Sequence, residues 1–218
     1  MTGGAWGAFA VAVVIAVGDW IAVERANKRL EYVCKPLTMV ALVAAAVVLD
    51  ADSSTQRGWF VVALVLSLVG DVFLMLPERE LGTADTFTFG LASFLLGHLA
   101  FIAGFVARGL DGANAVVGLL AVAIIGGYIA PKVLAGVRRK EPKLLGPVVA
   151  YMAVISVMVV CARGSGSAAA AAGALTFYAS DALIAWNRFV HQQRHGRLAI
   201  IVTYHVAQAL LVASLATT

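Results

Sequence analysis

The sequence predicts an all-α polytopic membrane protein of eight transmembrane helices, and three observations carry that expectation. Charged residues make up only 13% of the 218 residues, about half the ~25% usual in a soluble globular protein. Hydrophobic residues make up 61%, and mean hydropathy is +0.92. A soluble domain of this size has too large a surface to hide so much apolar area. Finally, the apolar residues fall into continuous runs, each close to the ~20 residues a membrane-crossing helix needs. Long unbroken runs argue against a β-barrel, whose strands alternate in short segments. The same composition excludes a disordered chain and a free-standing nucleic-acid-binding domain.

In chain order the expected spans are 5–23, 33–49, 59–77, 87–107, 113–131, 144–162, 167–187 and 197–215, forming one domain over 1–218. The opening MTGGAWGAFA carries no Lys or Arg, so it lacks the charged start of a cleavable leader and reads as part of a permanent first span. Lys35 precedes Pro36 near the start of the second span, a position that suits a helix beginning. Arg163, Gly164, Ser165, Gly166 and Ser167 interrupt a long apolar region and read as a tight loop between spans six and seven. The span interiors are rich in Ala, Val, Leu and Gly, which suits close helix packing in lipid.

Basic residues predict the orientation in the cell membrane. Loops one, three, five and seven hold Arg25, Lys28, Arg29, Lys35, Arg79, Lys132, Arg138, Arg139, Lys140, Lys143, Arg188, Arg194 and Arg197, thirteen of the 16 basic residues. The even loops hold only Arg57, Arg108 and Arg163. The positive-inside rule places the odd loops in the cytoplasm and both termini outside. Anionic membrane lipids account for the net charge of +4 without a nucleic-acid partner.

Ionisable side chains at membrane depth are costly and mark candidate sites. With that orientation, Asp71 in span three and Asp181 in span seven fall at comparable levels in the cytoplasmic halves. Asp19 lies near the inner end of span one, where hydration is an alternative to a binding role. Lys35 lies near the inner start of span two. His98 sits nearer the middle of span four, while Tyr128 and Tyr151 fall in the inner halves of spans five and six. Tyr204, His205 and Gln208 enter span eight from the same side, Gln208 one turn from both of the others. The outer halves are nearly bare of ionisable groups, which predicts one polar cavity opening to the cytoplasmic leaflet. Asp71 and Asp181 have a structural alternative, an ion pair with Lys35 or a helix-to-helix hydrogen bond. Each Asp is followed by a His in the next span, which hints at a parallel 4+4 repeat with two facing Asp–His pairs.

Several chemistries lack their motifs. Cys34 and Cys161 give neither a disulfide framework nor metal-ligand spacing. His191 and His195 have the i, i+4 spacing of a shared metal site, but they sit among Arg188, Arg194 and Arg197 with no adjacent carboxylate or cysteine, so no metal is expected. Neither a phosphate-binding loop nor a nucleophile elbow is present.

Ser67-Leu68-Val69-Gly70-Asp71-Val72-Phe73-Leu74-Met75, followed by Phe89-Gly90-Leu91-Ala92-Ser93-Phe94-Leu95-Leu96-Gly97-His98, resembles the central signature of the YhhN family, which includes the lysoplasmalogenases. Lys35-Pro36, Tyr151, Ser180-Asp181 and the stretch from Tyr204 to Gln208 resemble it too, so the similarity runs from about residue 18 to 210. The local match around Asp181 is looser, at Ala179 and Trp186. The resemblance implies an eight-span hydrolase without a bound cofactor, acting on a lysophospholipid with a vinyl-ether chain among membrane lipids. Its products would be a fatty aldehyde and glycerophosphoethanolamine or glycerophosphocholine. Such chemistry needs one carboxyl as acid and one as carboxylate, and Asp71 and Asp181 are the expected pair, with Asp71 favoured as the acid. His98 or His205 would relay a proton or hold water, and Lys35 would meet the substrate phosphate. Asp19, Tyr128, Tyr151, Tyr204 and Gln208 would bind substrate oxygens. The competing classes are a lysolipid transporter or flippase, which needs access from both sides, and a non-catalytic structural membrane protein.

Overall fold

A computed structural model describes residues 3–77, 80–81 and 84–216. Arg79, one of the basic residues used to orient the chain, lies outside the described residues. Among these residues eight helical segments are long and apolar enough to cross a membrane: α1 (Gly3–Glu24), α2 (Lys28–Val48), α3 (Ser54–Met75), α4 (Thr86–Arg108), α5 (Gly112–Lys140), α6 (Leu145–Gly164), α7 (Ala168–Ala185) and α8 (Gly196–Ala213). A 3-10 turn, Pro142–Leu144, leads into α6, and a π-helical turn, Trp186–Val190, extends α7. Between α3 and α4, β1 (Glu80–Leu81) and β2 (Ala84–Asp85) form a minimal antiparallel pair.

Three span boundaries depart from the sequence reading by five residues or more, among them the start of α3, at Ser54 rather than 59. Helix α2 starts at Lys28, because Asn27 accepts from the Leu30 amide and Lys28 pairs with Glu31 at 3.0 Å. Pro36 therefore lies inside the helix, and Lys35 sits about two turns in, not at its start. Helix α5 likewise runs through Pro131 to Lys140. Proline removes one intrahelical hydrogen bond, a loss that membrane helices tolerate. The expected loop between spans six and seven is present: Gly166 has φ +79°, and Ser167 caps α7 by accepting from the Ala170 amide.

The chain divides into two units, Met1–Arg108 with Val212–Thr218, and Gly109–Leu211. In the first, α3 and α4 meet through glycines on both helices. Gly90, Gly97 and Gly104 recur every seventh residue along α4, the spacing that keeps one seam on a neighbouring helix. A Cβ on Gly97 would stand 3.3 Å from the Ala63 carbonyl oxygen, and one on Gly70 would strike the Phe94 ring at 2.6 Å. Phe60 packs edge-on against Phe101 and Phe105, with centroids at 4.9 and 5.2 Å. At the far end Arg108 donates to Gln56, Asp52 and the Ser214 carbonyl at 3.4–3.5 Å, tying three segments of this unit together.

The second unit is built differently. Gly118 approaches α6 at Val160, Gly136 admits the Phe189 carbonyl, and Gly173 lies 3.0 Å from the Leu211 amide nitrogen by the position of its missing Cβ. Arg188 makes a two-pronged bond to Glu141, at 3.0 and 2.8 Å, and Lys140 donates to the carbonyls of Arg188 and Val190. These bonds anchor the turn that follows Asp181. The two units share a helix number but not a packing pattern, which gives the expected 4+4 repeat no support.

Candidate functional site

Each unit buries several polar side chains along its helices. In the first, α3 places Asp71 one turn from its C-terminus and α2 places Lys35 two turns from its N-terminus. The Lys35 Nζ stands 2.9 Å from Asp71 Oδ1, with side-chain exposures of 14% and 1%. Tyr32, on the preceding turn of α2, donates to the Met75 carbonyl at 3.1 Å and holds the two helix ends together. His98, on α4, is fully buried, as is Asp19 on α1. The hydrated position considered for Asp19 is therefore not the one it occupies; it lies one residue from Gly18, which packs against the Cys34 sulfur. Close to Asp71 on the same face is Ser67, also fully buried, a residue that the sequence argument used only as part of a motif. Its Oγ has no hydrogen-bond partner among the described residues. Other helix hydroxyls bond back along their own helix, Thr38 to the Cys34 carbonyl and Ser156 to that of Met152. The signal that marks Ser67 is its place four residues before Asp71, one helical turn away.

In the second unit, α6 and α7 bring Tyr151 and Asp181 together. The Tyr151 hydroxyl donates to Asp181 Oδ2 at 2.5 Å. Ser180, beside Asp181, donates to the Ile200 carbonyl at 3.1 Å and ties α7 to α8. Tyr204 stands edge-on to Phe177 at 5.6 Å, with the His205 ring 5.5 Å from its own. Gln208, one turn further along α8, is fully buried.

The two aspartates thus have unlike partners. Asp71 faces an ammonium, and Asp181 faces a phenol. Of the residues expected to bind substrate, Tyr128 stands apart: it is 66% exposed on α5, with the Lys132 ammonium 3.2 Å from its ring centroid. The reason is helical phase, since α5 turns that side away from α6. His191 accepts from the Trp186 indole through Nδ1 at 3.1 Å, and no group of three or more metal-ligating side chains occurs among the described residues.

Comparison with known proteins bears on what these clusters do. The model of the YhhN family matches residues 30–215. The lysoplasmalogenase TMEM86B of Homo sapiens is 32% identical over 152 residues, covering 70% of this chain and 61% of that protein. Its Rattus norvegicus counterpart is 30% identical over 185 residues, 83% of this chain and 70% of that one. A lysoplasmalogenase of Mycobacterium tuberculosis is 32% identical over 183 residues, 81% and 67% respectively. The chain spans less than two thirds of the human relative's length. No solved structure matches.

Proposed function

Because the chain belongs to the YhhN family, we propose that it hydrolyses the vinyl-ether bond of lysoplasmalogens, releasing a fatty aldehyde and glycerophosphoethanolamine or glycerophosphocholine. The observation that carries this reading is the pair of buried aspartates with unlike partners, Asp71 on Lys35 and Asp181 on Tyr151. Vinyl-ether hydrolysis needs an acid to protonate carbon and gains from a negative charge beside the cation that results, two roles that carboxyl groups in unlike settings can divide.

Asp181 supplies a proton to the β-carbon of the vinyl ether, and the α-carbon becomes an oxocarbenium-like cation. Asp71, whose charge Lys35 balances, stabilises that cation and orients water. This reverses the order favoured from sequence, because an ammonium at 2.9 Å suits a carboxylate that stays ionised through the cycle. The water oxygen bonds to the α-carbon and its released proton restores Asp181. The hemiacetal then breaks its bond to the glycerol oxygen, which takes the hemiacetal hydroxyl proton. Tyr151 holds the Asp181 carboxyl in place, and His98 or His205 relays protons or positions water. Lys35 also attracts the substrate phosphate, and Tyr204 and Gln208 bind glycerol oxygens. The lipid tail needs only the apolar helices around it. The basic odd-numbered loops support entry from the cytoplasmic leaflet.

The test is aldehyde release by purified protein in detergent from a panel of ether and ester lysolipids. Asp71→Asn and Asp181→Asn should each lower kcat by ~10²–10⁴-fold on the vinyl-ether substrate. Near-wild-type rates in both folded variants would refute the two-carboxyl mechanism.

A further inference from the structure

Gln208 is the most informative buried polar group outside the two aspartate pairs. It is fully buried, and neither Nε2 nor Oε1 has a hydrogen-bond partner among the described residues. An amide left so keeps its full desolvation cost, and buried polar groups without partners are rare enough to need an explanation. Nearby hydroxyls on the same helices solve the problem locally: Thr203 bonds to the Ala199 carbonyl at 2.7 Å, and Thr176 to that of Ala172 at 2.8 Å.

The position of Gln208 around α8 is offset from the line along which α8 meets α7. Helix α8 meets α7 through the Ile200 carbonyl, Tyr204, Ala207 and Leu211. At about 100° per residue, Gln208 falls on a second stripe with Ile201 and His205, roughly a quarter-turn away. All three of these side chains are buried. A carboxamide on such a stripe offers an acceptor and a donor side by side, neither of them used by the protein's own described residues.

We propose that Gln208 reads the free hydroxyl at the second glycerol position and so makes the protein selective for lysolipids over lipids carrying two chains. The proposal rests on the vinyl-ether hydrolase reading above. Its Oε1 accepts from the hydroxyl, and its Nε2 donates to the oxygen on the neighbouring glycerol carbon. An ester at the second position has no proton to donate and brings an acyl chain with it. A methyl ether fails in the same way without the bulk, and a deoxy carbon offers nothing. Sites built to hydrogen-bond a substrate hydroxyl discriminate strongly against analogues without it, because the protein's own groups are then left unpaired.

The test compares three vinyl-ether substrates in detergent micelles: the lysolipid, its 2-deoxy analogue and its 2-O-methyl analogue. The wild type should favour the lysolipid by at least ~100-fold in kcat/KM. Gln208→Met, similar in length and apolar, should lose most of that preference, because it slows the lysolipid, which loses two hydrogen bonds, far more than the 2-deoxy analogue, which loses one. Gln208→Glu, which keeps the acceptor for the hydroxyl, should retain part of the preference. A wild type that releases aldehyde equally from all three overturns the role of Gln208, whether or not any variant folds. So does an intact preference in folded Gln208→Met. Aldehyde from none of the three overturns instead the hydrolase reading on which the proposal stands.

Discussion

The ammonium of Lys35 and the buried carboxylate of Asp71 form a largely covered ion pair, 2.9 Å apart, between α2 and α3. Such a pair has lost most of its hydration, and its attraction largely offsets that cost. Removing one partner leaves the other charged and buried. Lys35→Met or Asp71→Leu alone should therefore destabilise the fold by about 3–5 kcal/mol, read as a lower thermal unfolding midpoint in detergent. The double variant Lys35→Met with Asp71→Leu should recover most of that stability and none of the aldehyde release. Recovery of both would make the pair purely structural.

Two buried serines should behave in opposite ways. The Ser67 hydroxyl has no hydrogen-bond partner among the described residues, whereas Ser180 bonds to the Ile200 carbonyl. Ser67→Ala should be neutral or stabilising, while Ser180→Ala should cost about 1 kcal/mol. Thermal unfolding of the two variants decides it, and equal losses would contradict the assigned contacts. If Ser67 serves the site beside Asp71, Ser67→Ala should also lower kcat despite its stability.

The glycine seam of α4 should tolerate little. Gly97→Ala places a methyl 3.3 Å from the Ala63 carbonyl oxygen and 3.4 Å from Ser67 Oγ. That overpacking should cost about 1–3 kcal/mol. Gly127→Ala on α5, where nothing lies within 4 Å of the added carbon, should cost nothing measurable. A comparable loss at both positions would mean that α3 and α4 are held by something other than this close approach.

Tyr128 gives a control. Its ring lies outside the buried clusters, under Lys132. Tyr128→Leu should leave kcat/KM within about twofold, as surface substitutions do. Tyr151→Phe, which removes the bond to Asp181, should lower kcat ~10–100-fold. Equal effects would return Tyr128 to the site.

These contrasts also show what the chain reveals before it is folded. Eight spans were legible because apolar runs of membrane length are explicit in the residues. Asp71 and Asp181 stood out because charge is scarce in those runs. The pairing of Asp71 with Lys35 was among the alternatives open from sequence, but the partner of Asp181 did not follow. Pairing Tyr151 with Asp181 depends on how α6 and α7 are rotated, which no local pattern specifies. Tyr128 shows the same limit, since its depth was inferred but its face was not. Pro36 suggested a helix start by a rule drawn from water-soluble helices, and lipid relaxes that rule. Ser67 was overlooked because a lone serine is unremarkable until its hydroxyl is seen to have nowhere to bond.

The central claim is that Asp181 protonates the β-carbon of a vinyl ether. Hydrolysis of a lysoplasmalogen in D2O, with mass analysis of the aldehyde, tests it most directly. The wild type should yield aldehyde carrying one deuterium at C2, and Asp181→Asn should yield almost none. Aldehyde without deuterium at C2, or full deuterated yield from Asp181→Asn, would contradict the account.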